Sequence, residues 1–147
     1  MVMKMRRLLL AVIAAAAVSL GAGDARAAGE CKAQSPGVPG PAYVYFAVGS
    51  AKLDAEATAE IKEVAGRIKA MYIRTVCLLG SADKQGNAEM NFKLSVKRAE
   101  AVAAALEREG VDADVITVVG KGETFGDSIS LFEDNEHDRS VKITLTK

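Results

Sequence analysis

The sequence predicts an α/β domain in which two helices pack on a small mixed sheet. Three observations carry that expectation. Short β-branched or aromatic runs alternate with longer stretches whose apolar residues recur at helical spacing. Glycines close several of those runs. The 147-residue chain, less a leader at its start, holds one domain's worth of residues and one core. The order is strand, helix, strand, helix, strand, loop, strand, which puts helices over one or both faces of the sheet.

The leader comes first. Lys4, Arg6 and Arg7 head an apolar run from Leu8 to Leu20, and Ala25-Arg26-Ala27 has the small-x-small pattern of a cleavage site. Residues 1–27 therefore predict a secretory signal peptide. The apolar run falls short of the about 20 residues that a spanning helix needs, and an uncleaved anchor is the alternative. Glu30 stands before Cys31, where lipid attachment needs a small residue, so lipidation is not expected. Residues 28–42 read as a linker, with Pro36, Gly37, Pro39, Gly40 and Pro41 and no apolar period. Residues 43–147 form the domain.

Tyr43 to Val48 is aromatic and β-branched and reads as the first strand, ended by Gly49 and Ser50. Asp54 is a good N-cap with Glu56 in the first turn, and Ile61, Val64, Ala65, Ile68 and Met71 follow at helical spacing, so a helix runs from about Ala55 to Ala70. Tyr72 to Leu79 reads as a buried strand ending at Gly80. Ser81 to Asn87 is a polar turn containing Gly86. Leu94, Ala101, Val102, Ala105 and Leu106 make a second helical stripe, with Gly110 as its C-terminal cap. Asp114 to Val119 is a third strand closed by Gly120 and Gly122, and Gly120-Lys121-Gly122 reads as a turn. A long polar loop covers Glu123 to Glu136. Val141, Ile143 and Leu145 alternate with Lys142, Thr144 and Thr146, the pattern of a half-buried last strand.

Charge narrows the function classes. Removing residues 1–27 takes away four basic residues and one acid, leaving 15 basic and 18 acidic residues and a net charge of −3. Such a domain has no general attraction for nucleic acid or anionic lipid, and no direct membrane insertion is expected after cleavage. The single histidine, His137, sits in an acidic stretch, and no cysteine cluster or paired-histidine spacing suggests a metal. No nucleophile elbow or phosphate-cradling loop appears. The residues thus call for no catalytic group, cofactor or metal. Cys31 and Cys77 are an even pair, which in an oxidising compartment suggests one disulfide, with two unpaired thiols as the alternative.

Asp83 and Arg98 are the notable charged pair. Asp83 follows a strand end, in a turn. Asn91, Leu94 and Arg98 share one helical face at the edge of the apolar stripe. An arginine there is partly desolvated and needs a carboxylate. The two residues suit a ligand that carries an ammonium and a carboxylate; equally, they suit a structural ion pair.

Gly80-Ser81-Ala82-Asp83 through Gly86, Asn91, Leu94-Ser95 and Arg98-Ala99 resembles the central motif of the OmpA-like domain family. Tyr43, Tyr45, Phe46 and Leu53 resemble the family's opening, Gly120-Lys121-Gly122-Glu123 its Gly-x-Gly-Glu turn, and Asp138-Arg139 with Val141 its closing strand. The resemblance spans about Tyr43 to Thr146. It implies a βαβαββ sheet with helices packed on it, and non-covalent binding of diaminopimelate in peptidoglycan stem peptides. By position, Asp83 would meet the diaminopimelate ammonium and Arg98 its carboxylate. Asn91 would brace the loop or touch the peptide, Leu94 would form an apolar wall, and Arg139 would be structural, holding the final strand and a nearby loop. The chain departs from the family at Ser81-Ala82, at Ser140, and after the first strand, where Val48-Gly49-Ser50 replaces an acidic residue; Gly49 can still offer a backbone N–H to a carboxylate. These departures motivate a second expectation, an interaction module that contacts another envelope protein without binding wall.

Overall fold

The computed structural model describes Cys31 and residues 34–82, 86–123 and 136–147. The expected leader, Asp83 and the polar loop over 124–135 lie outside the described residues. The chain forms β1 (Ala42–Tyr45), α1 (Ala55–Ala70), β2 (Thr75–Ala82), α2 (Ala88–Arg108), a 3-10 turn (Ala113–Val115), β3 (Ile116–Glu123), a second 3-10 turn (Glu136–Arg139) and β4 (Ser140–Thr146). The sheet order is β1-β4-β2-β3. β4 runs antiparallel to both neighbours, and β2 and β3 are parallel, with α2 as the crossover that a parallel pair requires. This is the mixed sheet and βαβαββ order that the sequence predicts.

Both helices lie on one face. Val44, Val76, Leu78, Val141, Ile143 and Leu145 point to it and join Ile61, Val64 and Ile68 of α1 and Ala99, Val102 and Leu106 of α2 in one core. Register aligns these apolar positions across the sheet: Val44 sits opposite Val141, Leu78 opposite Ile143, and Val76 opposite Leu145. The other face is also covered in part. Cys77 has the opposite parity to Val76 and Leu78, pairs with Thr144, and is bonded to Cys31 with a Cα–Cα distance of 5.5 Å. Cys77, Ser140 and Thr144 are buried, so β4 is more enclosed than simple alternation predicts. The amide of Lys147 donates to Ser35 Oγ (3.2 Å), which ties the Pro/Gly stretch to the end of β4.

Helix α1 starts where its cap dictates: Asp54 Oδ1 accepts from the Ala57 amide (2.8 Å). Asn87 caps α2 in the same way, accepting from Glu89 and Met90, so α2 begins directly after the segment expected to be a turn, whose last residue is the cap. The strands differ from expectation at their ends. β1 stops at Tyr45, because the chain leaves the ladder after the Phe46 amide reaches the Arg139 carbonyl (2.8 Å).

β2 begins at Thr75, not Tyr72. Tyr72 and Ile73 terminate α1 instead: the Ile73 amide bonds Ile68 O (3.1 Å) and the Tyr72 amide bonds Lys69 O (3.4 Å), with Tyr72 at φ +53°. That is a Schellman ending with a tyrosine in the place usually held by glycine. Helix α2 ends on the same bonds with Gly110 in that place. Tyr72→Gly is expected to stabilise the domain by about 0.5–1 kcal/mol, since a side chain in the left-handed region is disfavoured. A higher urea midpoint at unchanged slope checks this.

β3 is displaced in the same direction and runs through Gly120, Lys121 and Gly122, so this segment is strand and not a turn. The reason is packing. A Cβ on Gly80 would overlap the Ser95 carbonyl of α2, and one on Gly120 would overlap the Val96 side chain. Gly80 and Gly120 are partners in the β2–β3 register, and together they let α2 lie directly on the sheet.

Candidate functional site

The close approach of α2 carries Arg98 under the carboxyl ends of β1 and β2. Its side chain is fully enclosed, with 0 % exposure. Nε donates to the Ser50 carbonyl (2.8 Å), Nη1 to the Ser81 carbonyl (2.9 Å) and Nη2 to the Ala47 carbonyl (3.1 Å). The guanidinium carbon lies 5.5 Å from the centroid of the Phe46 ring, close enough for a cation–π contribution. A buried guanidinium is tolerated when its N–H groups meet acceptors, and its planar fork can serve several carbonyls at once. Arg98 therefore fastens the loop after β1 to the end of β2.

That loop is a tight turn. The Ser50 amide donates to Ala47 O (3.1 Å), and Gly49, the third residue, has φ +66°. A left-handed third position is the mark of a type II turn and favours glycine. Ser50 Oγ accepts from the Lys52 amide (3.0 Å) and holds the next bend. Gly49 is exposed and Val48 beside it is 65 % exposed.

The expected site residues fall as follows. Asn91, Leu94 and Arg98 share a face of α2, where Asn91 and Arg98 are buried and Leu94 is half-buried. Gly49 is held against this group by the bonds from Arg98 to Ala47 and Ser50. Asp83 lies outside the described residues; its neighbour Ala82 ends β2 with 0 % exposure. The backbone carbonyl of Arg139, accepting from the Phe46 amide, ties the start of β4 to the end of β1. Arg139 also lines a cleft with Tyr43, Tyr45, Asp54, Glu56 and Glu60. Among the described residues no group of three or more His, Cys, Asp or Glu is placed to hold a metal. No helix among them is long and apolar enough to cross a membrane.

Sequence reasoning missed the carbonyls of Ala47, Ser50 and Ser81, which leave no signal because every residue carries one. It also missed the cleft at β1. One readable sign was there: Glu56 and Glu60 are like charges one helical turn apart.

Residues 45–139 match the model of the OmpA family. Outer membrane protein 40 of Porphyromonas gingivalis is 39% identical over 109 residues, which is 71% of this chain and 26% of that protein. The chain spans about a quarter of the length of that protein and of outer membrane protein P5 of Haemophilus influenzae. Among solved structures, the OmpA-like domain of FopA1 from Francisella tularensis superposes with a TM-score of 0.60 at 26% identity, covering 71% of this chain and 73% of that one. The peptidoglycan-associated lipoprotein from Burkholderia pseudomallei gives a TM-score of 0.60 at 26% identity, covering 70% and 86%. Motif, register and fold agree over the same stretch of sequence, and the chain belongs to the OmpA family.

Proposed function

We propose that residues 1–27 direct export and that the domain binds peptidoglycan non-covalently, through the diaminopimelate residue of the stem peptide, as a periplasmic tether or wall sensor. The observation that supports this best is the enclosed Arg98, whose charge sits directly beneath the Ala47–Ser50 turn and the end of β2. A carboxylate resting on that turn would meet the Gly49 amide and lie in the field of the guanidinium beneath it. Asp83, one residue past buried Ala82, accepts from the ammonium. Leu94 supplies the apolar wall and Asn91 braces the loop. A fold relative is itself called peptidoglycan-associated. The proposed role is binding, with no chemistry on the wall.

The test is co-sedimentation of the protein lacking residues 1–27 with diaminopimelate-type sacculi. Wild type should pellet, less so as salt rises. Asp83→Asn should fold normally and bind at least about tenfold more weakly, a loss of about 1.4 kcal/mol. Folded wild type that stays in the supernatant at every salt concentration overturns the reading. The second reading, an interaction module for another envelope protein, then takes its place. It is favoured by buried Ser81 and Ala82, where the family has polar residues, and by exposed Val48, Met90 and Phe92.

A further inference from the structure

We infer that residues 34–41, tied down through Cys31, are a redox-operated strap on the second face of the sheet. A dithiol opens it by reducing the Cys31–Cys77 bond, while the rest of the domain stays folded. Both helices and the core cluster lie on the other face. Cys77 is not part of that cluster; it points away from it, beside Thr144 of β4 and Thr117 of β3. Even so, Cys77 is 4 % exposed and Thr144 8 %. No described helix lies on this face, and the segment anchored to it is the strap. Thr146 pairs with Thr75, the first residue of β2, whereas Arg98 bonds Ser81 near the last. The strap, tied to Lys147, is thus fastened at the end of the sheet remote from the site proposed for the wall peptide.

Three observations distinguish a latch from a staple of the core. First, the strap has few other ties. Among the described residues it is held to the domain by the bond from the Lys147 amide to Ser35 Oγ and by Val38, which packs against the core. Second, Gln34 Oε1 is shut off from solvent with no hydrogen-bond partner among the described residues. A closed strap withholds that acceptor from water, and opening returns it. Third, the strap carries its own shape. The Val38 amide donates to Ser35 O (3.3 Å), with Pro36 second and Gly37 third at φ +76°, which is a type II turn. Gln34 Nε2 closes it again by donating to Val38 O (3.4 Å), and Pro39 and Pro41 stiffen the chain beyond. A segment so preorganised can leave and dock again at little entropic cost. The chemistry is thiol–disulfide exchange. Cys31 is half-buried and Cys77 buried, so the incoming thiolate attacks Cys31 Sγ. The bond between the two cysteines breaks as a mixed disulfide forms, and Cys77 leaves as a thiolate. The second thiolate of the reductant attacks its own first sulfur and releases Cys31. Two electrons pass from the dithiol to the pair, the dithiol becomes a disulfide, and the two protons it gives up end on Cys31 and Cys77.

The test uses the protein lacking residues 1–27, reduced with dithiothreitol under native conditions. Backbone amide NMR shifts should move at residues 34–41, around Cys77 and Thr144, and at Lys147, and stay in place at Ala47–Ser50 and along α2. Iodoacetamide should then alkylate Cys77 at a rate that is flat in low urea, the mark of opening without global unfolding. Cys31→Ser, with no reductant, should show the same shifts and the same rate. Oxidised glutathione should restore the original spectrum of the reduced wild type. A reduced protein whose spectrum collapses to that of an unfolded chain overturns the inference, since the bond would then hold the whole fold. Unmoved strap shifts overturn it, as does a Cys77 alkylation rate that climbs with urea in step with unfolding. So does a bond that the native protein keeps in a large excess of dithiothreitol and loses only in denaturant.

Discussion

Gly80→Ala is expected to abolish the native fold or leave it destabilised by about 3 kcal/mol or more, at the upper end of overpacking effects. The added Cβ would overlap the Ser95 carbonyl oxygen and lie 2.8 Å from its carbonyl carbon, with Ala99 Cβ at 3.3 Å. These are mainly backbone atoms of a helix, so no rotamer change relieves the contact. Relief requires α2 to back away from β2, and that would also draw Arg98 away from the three carbonyls it serves. Gly120→Ala should be milder. Its Cβ would meet the Val96 side chain and come 3.0 Å from Ser95 Oγ, and a valine side chain can move or be trimmed. Val96→Ala should therefore rescue Gly120→Ala and leave Gly80→Ala unchanged. Chemical denaturation of the four proteins checks the pattern, and a Gly80→Ala protein as stable as wild type would show that α2 is not held as closely as described.

Arg98→Met should cost about 4 kcal/mol, because three carbonyls at the junction of β1 and β2 lose their donors, each at roughly 1–3 kcal/mol. With native stability of about 5–15 kcal/mol, such a protein is marginal at best. Arg98→Lys keeps the charge but offers a point donor in place of a planar fork, so it should recover only part of the loss. The melting temperatures should rank wild type, Arg98→Lys, Arg98→Met, whereas Asp83→Asn stays close to wild type. In a wall-binding assay this ranking matters. Loss of binding in an Arg98 variant reports a collapsed turn as readily as a lost ligand contact, so Asp83→Asn is the variant that isolates recognition. An Arg98→Met protein that melts like wild type would show that the guanidinium does not hold the turn.

The helices were the most legible elements. Asp54 followed by Ile61, Val64, Ala65 and Ile68 marks both the start and the buried face of α1, because caps and helical period are local properties. Strand ends were less so. Tyr72-Ile73 has the composition of a strand but is spent on ending a helix, and Gly120-Lys121-Gly122 has the composition of a turn but lies in β3 because α2 passes too close for a side chain. The first is decided by the helix just before it, whose last carbonyls take the Tyr72 and Ile73 amides, and the second by a helix distant in sequence. The candidate site divides in the same way. The shared face of Asn91, Leu94 and Arg98 follows from spacing along α2. What Arg98 touches depends on Ala47 and Ser50, which are 51 and 48 positions away, and no residue type encodes a backbone carbonyl. The cleft at β1 was hidden for the same reason, as Arg139 reaches it only through the pairing of β4 with β1.

The bond between Cys31 and Cys77 determines how the domain would bear a load. A pull on the chain ahead of Cys31 does not reach β1 first; it enters the sheet at Cys77 in β2, which is flanked by β4 and β3. A force applied to β1, an end strand with a single neighbour, could peel it away one pair at a time. A force applied to β2 must shear two ladders together. The bond also takes the 46-residue separation between the two cysteines out of the line of tension. After reduction, a load that unfolds β1 and α1 would release that stretch as slack of up to roughly 150 Å, turning a short stiff coupling into a long soft one.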